Sequence, residues 1–289
     1  MNARLAILGA ALLFSSGGAV IKAASLQAWQ VASYRSLVAA VVLLGLLPAA
    51  RCGWGWRMVP VGVAYALTLV LFVLATKLTT SANAIFLQAT APLYLLLIAP
   101  WWLGERGRSR DLLGSGAIAF GMALFFVGQQ PSAATAPNPW LGNLCGAASG
   151  FTWALTLAGL RWLNRAGVPG GYATAAMGNL FAGLIAFGPS LPFPSLSYAD
   201  ISVLLYLGIF QIALSYYLLN RGLSQVPAFE ASVLILLEPA LNPVWTYCFH
   251  GEKPSGLAIL GGVLICAATL FQSWLARSPA PLPPVQRQP

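Results

Sequence analysis

Long apolar runs dominate this sequence of 289 residues and constrain its fold more than any other feature. Hydrophobic residues make up 58% of the chain and charged residues only 7%, whereas an average soluble domain carries about 25% charged residues. Charged, glycine-containing or proline-containing breaks separate ten apolar segments, at 4–24, 28–48, 58–77, 82–102, 111–129, 139–160, 171–189, 200–220, 227–249 and 255–275. Because about 20 apolar residues cross a hydrocarbon core, the sequence predicts an all-α integral membrane protein with ten transmembrane helices.

The basic residues predict how these helices are oriented. With a cytoplasmic N-terminus, eleven of the 15 Lys and Arg residues fall in cytoplasmic segments, and Lys22, Arg35, Lys77 and Lys253 do not. Since Lys and Arg are retained on the cytoplasmic side, we expect both termini to be cytoplasmic. No N-x-[ST] glycosylation acceptor occurs, which favours a bacterial inner membrane.

The composition excludes several kinds of chemistry. His250 is the only histidine and the four cysteines show no C-x-x-C spacing, so metal sites and catalytic triads lack their residues. The G-x-G-x-x-A pattern at 114–119 follows no strand, which argues against nucleotide binding. We therefore expect neither a cofactor nor an enzymatic activity, no nucleic-acid partner, and a protein that works as a monomer with the lipid bilayer and a small-molecule substrate.

Two stretches of the chain repeat each other. Glu105 follows Pro92 by thirteen positions, and Glu252 follows Pro239 by the same number. These positions are offset by 147, whereas near the start of each half the offset is 137. The repeat predicts two five-helix halves, residues 1–133 and 139–277, followed by a disordered cytoplasmic tail, 278–289. Because five is an odd number, the second half must enter the membrane in the inverted direction, an arrangement that recurs in secondary transporters.

The repeated residues also carry a family resemblance. The sequences at 84–87, 91–92 and 103–106, with their counterparts at 237–239 and 251–253, resemble the paired EamA domains of the drug/metabolite transporter superfamily. The resemblance implies two inverted five-helix halves around a central cavity lined by segments 1, 3, 4, 6, 8 and 9. Members of the superfamily export amino acids and other metabolites, and relatives carry nucleotide sugars or sugar phosphates. The aromatic-rich core is most similar to that of the aromatic amino acid exporters.

Glu238 is the sharpest single signal of a substrate site. It lies about halfway along the ninth segment, where a charge costs roughly 2.5–3.5 kcal/mol and marks a functional residue by default. Helical spacing places Asn242 and Trp245 on the same face. Glu238 could instead be protonated and join two helices. Pro92, Pro239 and Pro243 lack an N–H and are expected to kink or break their helices as hinges.

Four other segments supply candidate substrate-binding residues. They are Gln88, Tyr94 and Trp101 in the fourth segment, Trp153 and Thr156 in the sixth, Gln211 and Ser215 in the eighth, and Thr68, Phe72 and Lys77 in the third. Packing, lipid contact or snorkelling remain alternatives for these side chains, the interface for Trp101 in particular. Arg35, about 10 Å deep in the second segment, is interpreted as structural and paired with an unidentified acceptor.

These residues favour a secondary-active exporter of hydrophobic metabolites, in particular aromatic amino acids, that works by alternating access. A zwitterion needs an acceptor for its ammonium and a donor for its carboxylate, and its ring needs an apolar surround. A nucleotide-sugar carrier, a uniporter or channel, and an intramembrane enzyme remain as alternatives. The enzyme is the least favoured, because Glu230 and Glu238 lie about 12 Å apart along a helix.

Overall fold

The chain is predominantly helical in the residues that its computed structural model describes, which are 2–104, 114–117, 119–121, 123–124, 136–168, 171–250 and 256–275. No strand occurs in these ranges. The helices are α1 (Ala3–Ser15), α2 (Gly17–Ala23), α3 (Ala28–Leu46), α4 (Pro48–Arg51), α5 (Val59–Leu78), α6 (Ser81–Gln88), α7 (Ala91–Trp102), α8 (Pro139–Arg165), α9 (Gly171–Phe187), α10 (Tyr198–Tyr206), α11 (Ser215–Leu223), α12 (Ala228–Ile235), α13 (Leu237–His250) and α14 (Gly256–Leu275). A π-helix, Leu207–Leu214, joins α10 to α11.

Nine of the predicted apolar segments coincide with these helices. The fifth, 111–129, lies largely outside the described residues, as do most of the linker and the tail at 278–289. Five described stretches are long and apolar enough to cross a membrane: Ala3–Ala23, Ala28–Leu46, Trp56–Leu78, Asn83–Trp102 and Tyr198–Leu223. The all-helical fold is thus confirmed, and the count of ten crossings stays a prediction.

The first helices of the two halves start at opposite ends of the bundle. The end of α2 lies beside the end of α5, because Lys22 Nζ donates to Thr79 O at 2.9 Å. The start of α8 lies at this same end, since Asn138 N–H donates to Leu78 O at 3.0 Å. The helix α1 therefore starts at the opposite end, where Arg4 forms a salt bridge with Glu230 at the start of α12.

Helices of the two halves also pack between one another. The most extensive contacts join α5 to α8 and α9 to α3, and each of these pairs combines a helix from either half. The glycines of α8 allow close packing: a Cβ at Gly142 would lie 2.7 Å from Thr79 N, and one at Gly150 would lie 2.6 Å from Leu87 O. The interior is therefore built jointly by both halves.

Two of the long segments are interrupted at equivalent places. The break between α6 and α7 precedes Pro92, and the break between α12 and α13 precedes Pro239. The last residues before the two breaks, Gln88 and Ile235, differ by the same offset of 147. Each proline lacks the N–H that would bond the carbonyl four residues earlier, so the breaks follow directly from the repeated sequence.

Candidate functional site

A narrow cavity lies in the interior where the two halves meet. Its first chamber is lined by Phe14, Arg35, Thr68, Leu69, Phe72 and Gln88 from the first half and by Trp153, Gln211, Ile212, Tyr216 and Glu238 from the second. An adjoining chamber shares Gln88, Trp153 and Glu238, and reaches Pro92 and Pro239 at the two helix breaks. The centres of water molecules can occupy about 30 Å³ in the first chamber and about 10 Å³ in the adjoining one, which is enough for a few waters. The cavity is therefore narrow in this conformation.

Irregular helices surround this cavity. The π-helix that carries Gln211 and Ile212 forms one wall, and the breaks before Pro92 and Pro239 lie at another. Single-turn π segments are frequent at functional sites, and discontinuous helices form the substrate sites of many transporters. Non-helical backbone at membrane depth is tolerated where it is buried in protein or lines a cavity.

Glu238 lies in the first turn of α13 and lines both chambers. Its side chain is 9% exposed, so the carboxylate is buried but open to the cavity. Within the described ranges no side chain or backbone N–H donates a hydrogen bond to it. The alternative of a carboxyl that joins two helices by a hydrogen bond therefore has no partner among these residues.

Arg35 is the basic side chain of the first chamber and is only 1% exposed. Its Nη1 donates to Gln211 Oε1 at 3.3 Å and its Nη2 donates to Leu69 O at 3.1 Å. Its Nε has no hydrogen-bond partner. The acceptors that the sequence left unidentified are thus two neutral oxygens, and the guanidinium faces the cavity.

Aromatic rings form a compact cluster on one side of the cavity. Phe14, Trp153 and Tyr216 meet edge to face, with centroid distances of 5.2 Å for Phe14–Tyr216, 6.0 Å for Trp153–Tyr216 and 6.2 Å for Phe14–Trp153. Tyr65 packs behind Tyr216 at 4.3 Å. Such clusters offer a large apolar surface with defined ring edges and faces.

A chain of hydrogen bonds supports the wall formed by α5, α6 and α8. Gln88 Nε2 donates to Ser149 Oγ at 2.8 Å, and Ser149 Oγ donates to Thr68 O at 3.3 Å. Thr68 Oγ1 in turn lies 3.0 Å from Thr152 Oγ1 and 3.4 Å from Thr156 Oγ1. Thr156 therefore supports the wall from behind, whereas Thr68 and Gln88 line the cavity.

Asn242 and Trp245 follow Glu238 along α13 but do not line either chamber. Trp245 Nε1 donates to Ser15 Oγ of α1 at 2.6 Å. Asn242 Oδ1 lies 3.3 Å from the position of a Cβ built on Gly18 of α2. The predicted shared face thus divides: Glu238 faces the cavity, and the other two side chains contact the first half.

Four further candidates also lie away from the cavity lining. Tyr94 packs edge to face on Phe151, and Trp101 is 97% exposed. Lys77 Nζ donates to Ala24 O at 2.7 Å, and Ser215 Oγ donates to Phe210 O at 3.0 Å. The side chain of Pro243 lies outside the described residues.

Three of the charged or aromatic residues that line the first chamber are absent from the candidates that the sequence supplied: Phe14, Arg35 and Tyr216. Arg35 carried a signal, because a charge deep in an apolar segment is a functional candidate by default. Phe14 and Tyr216 carried none, since an aromatic residue in a membrane helix is an ordinary packing residue.

An all-helical membrane protein with opposed halves and a cavity between them has the architecture of a secondary transporter. The sequence matches the EamA-like transporter family over residues 1–127 and again over 140–274, one repeat in each half. The chain therefore belongs to this family, within the drug/metabolite transporter superfamily. Its members are transporters rather than enzymes, so this chain is a multi-pass membrane transporter of small metabolites.

Solved structures extend the comparison to the fold. One crystal structure is similar over 95% of this chain and 97% of the other, with a TM-score of 0.77 and 20% sequence identity. Such a likeness indicates a shared fold over the full length. No curated protein is significantly similar in sequence to this chain.

Proposed function

We propose that this transporter is a secondary-active exporter of amino acids, and of aromatic amino acids in particular, that binds them in the cavity between its halves. The observation that carries the proposal is Glu238, a buried carboxylate that opens to the cavity and accepts no hydrogen bond from the described residues. A substrate ammonium supplies the positive partner that this carboxylate lacks, and charge-assisted hydrogen bonds are about twice as strong as neutral ones.

The aromatic cluster supports the preference for aromatic side chains. Phe14, Trp153 and Tyr216 present ring edges and faces on the same chamber as Glu238. A phenyl or indole ring that packs among them gains apolar burial and about 0.5–1.5 kcal/mol per aromatic pair beyond that burial. An aliphatic side chain of the same length lacks this second contribution.

The narrowness of the cavity supports transport by alternating access. An amino acid does not fit into about 30 Å³, so the walls must separate before substrate enters. The helix breaks before Pro92 and Pro239 lie at the cavity and serve as hinges. In this proposal the positive-inside rule places both termini in the cytoplasm of a bacterium, the protein lies in the inner membrane, and one chain is the functional unit.

A nucleotide-sugar carrier is the second candidate and has less support. Phosphates require several basic groups facing the cavity, and Arg35 is the one basic residue among the described lining residues. The absence of an ATP-binding motif leaves a substrate gradient, a proton gradient or both as the driving force. In a proton-coupled cycle Glu238 would carry the proton.

Counterflow in liposomes tests the proposal. Purified protein is reconstituted into vesicles loaded with L-tryptophan, and uptake of labelled L-tryptophan is measured against external L-phenylalanine, L-leucine, L-glutamate or a nucleotide sugar. We expect saturable counterflow, with phenylalanine as the strongest competitor and the nucleotide sugar without effect. Stronger competition by the nucleotide sugar would refute the proposal, and flux that does not saturate would indicate a pore.

A further inference from the structure

Arg35 and Glu238 line the same chamber without forming an ion pair. Among the described residues the salt bridge within 4.0 Å is that of Arg4 with Glu230. The two charged side chains therefore face one cavity from opposite halves of the protein with a gap between them. Neither charge is neutralised by a described neighbour, although burying an unpaired charge is costly.

The hydrogen bonds of Arg35 leave part of its binding capacity unused. A guanidinium has five N–H donors, and its two hydrogen bonds to described residues, to Gln211 Oε1 and Leu69 O, are with neutral oxygens at 3.3 and 3.1 Å. Charge-assisted bonds to a carboxylate are shorter, at about 2.7–2.9 Å, and pair two parallel N–H groups with two oxygens. A carboxylate is thus the ligand that this guanidinium prefers.

We infer that Arg35 binds the carboxylate of the substrate, so that the transported molecule is a zwitterion held between Arg35 and Glu238. This inference rests on the proposed function and deepens it by assigning the anionic group. The substrate ammonium bonds to Glu238, the carboxylate bonds to Arg35, and the side chain lies against Trp153 and Tyr216. A solute without the ammonium leaves Glu238 without a charged partner, and a solute without the carboxylate leaves Arg35 without one.

Gln211 connects this recognition to movement of the two halves. Its side chain lies on the π-helix of the second half and accepts from Arg35 of the first half. A substrate carboxylate competes with Gln211 Oε1 for the same guanidinium. Binding therefore replaces a bond between the halves, from the guanidinium to a neutral amide oxygen, with a stronger bond to the carboxylate of the cargo, and Gln211 acts as a positioning residue.

The test compares three ligands that share an indole ring. L-Tryptophan has both charges, tryptamine lacks the carboxylate, and indole-3-propionate lacks the ammonium. Wild type, Arg35→Gln and Arg35→Lys are each reconstituted into vesicles. For each protein, all three ligands are tested as inhibitors of labelled amino acid counterflow in the same vesicle preparation. Because the readout is a ratio of affinities within one preparation, it does not depend on how much protein folds.

We expect wild type to prefer tryptophan over tryptamine by about ten- to a hundredfold, the range of one charged hydrogen-bond interaction. Arg35→Gln should reduce this ratio at least tenfold by weakening tryptophan and not tryptamine. Arg35→Lys keeps the positive charge but loses the planar guanidinium that bonds a carboxylate with two N–H groups. The preference of this variant for tryptophan over tryptamine should therefore be intermediate. If Arg35→Gln fails to fold, Arg35→Lys decides the question. Glu238→Gln should instead reduce the preference for tryptophan over indole-3-propionate.

Two results separate this inference from the proposed function. In the first, wild type transports tryptophan, but an Arg35 variant lowers the affinity for tryptophan and the affinity for tryptamine equally. This result overturns the role of Arg35 and leaves the exporter proposal intact. If wild type transports an amino acid other than the aromatic ones, the aromatic preference is wrong, and the same comparison is made with that amino acid and its decarboxylated amine. Transport of no amino acid overturns both proposals.

Discussion

Replacing Glu238 by glutamine separates a transport role of this residue from a structural one. The side chain is 9% exposed, and no described residue donates a hydrogen bond to its carboxylate. Glutamine keeps the size and removes the charge, so it also removes the cost of placing a carboxylate in the membrane interior, roughly 2.5–3.5 kcal/mol. The melting temperature of Glu238→Gln should therefore equal or exceed that of wild type.

The effect on transport should be in the opposite direction. A substrate ammonium stays charged in the variant, so its bond changes from one between two charged groups, near the upper end of the range of about 1.5–3 kcal/mol for hydrogen bonds to charged groups, to one with a neutral amide oxygen, near the lower end. The difference, about 1–1.5 kcal/mol, corresponds to a roughly five- to tenfold weaker apparent affinity for an amino acid. Efflux and melting temperature are measured on the same membrane preparation.

Glu230→Gln is the matched control, because it makes the same substitution eight residues away. Glu230 accepts from Arg4 Nε at 2.6 Å at the start of α12 and lines neither chamber. Its replacement should lower the melting temperature and leave the affinity for substrate unchanged. Normal efflux by Glu238→Gln, together with misfolding of Glu238→Leu, would refute the argument and assign Glu238 to helix packing.

Three further predictions concern the wall, the packing and the orientation. Trp153→Ala should selectively weaken the binding of aromatic amino acids in the competition assay. Trp101→Ala, at a position 97% exposed, should not alter the order in which the amino acids compete. An unchanged order in both variants would assign Trp153 to packing. Gly150→Ala places a Cβ 2.6 Å from Leu87 O and should destabilise the protein by about 1–3 kcal/mol, while Gly45→Ala, with open space around its Cβ, should be neutral or stabilising in thermal unfolding. In a Cys-free background, a cysteine near Arg165 should be shielded from an impermeant thiol reagent in intact cells and one near Pro194 should react, and the reverse labelling would contradict cytoplasmic termini.

The helical membrane fold and its repeat could be predicted from the sequence because both depend on local patterns. Apolar runs of about 20 residues leave the backbone no alternative to helices in a bilayer. The breaks before Pro92 and Pro239 are equally local, since a missing N–H disrupts the helix wherever the proline lies. The burial of Glu238 at the cavity also follows from its sequence position, because a lipid-facing carboxylate would be too costly.

Which residues form the site depends on which helices are neighbours. Local patterns in a single sequence do not reveal those neighbours. Helical spacing correctly indicates that Asn242 and Trp245 share a face with Glu238, but a face can contact two neighbours. In the structure, α1 and α2 lie against that face, so Trp245 bonds to Ser15 and Asn242 packs near Gly18.

Arg35 illustrates the same limit most clearly. Its depth in an apolar segment indicated a buried charge, but its acceptors, Leu69 and Gln211, lie 34 and 176 residues further along the chain. Only the packing of α3 against α9 and the π-helix brings that guanidinium to the cavity that Glu238 lines. The presence of a basic and an acidic side chain on one cavity is therefore a property of the tertiary structure, because it depends on how distant helices pack.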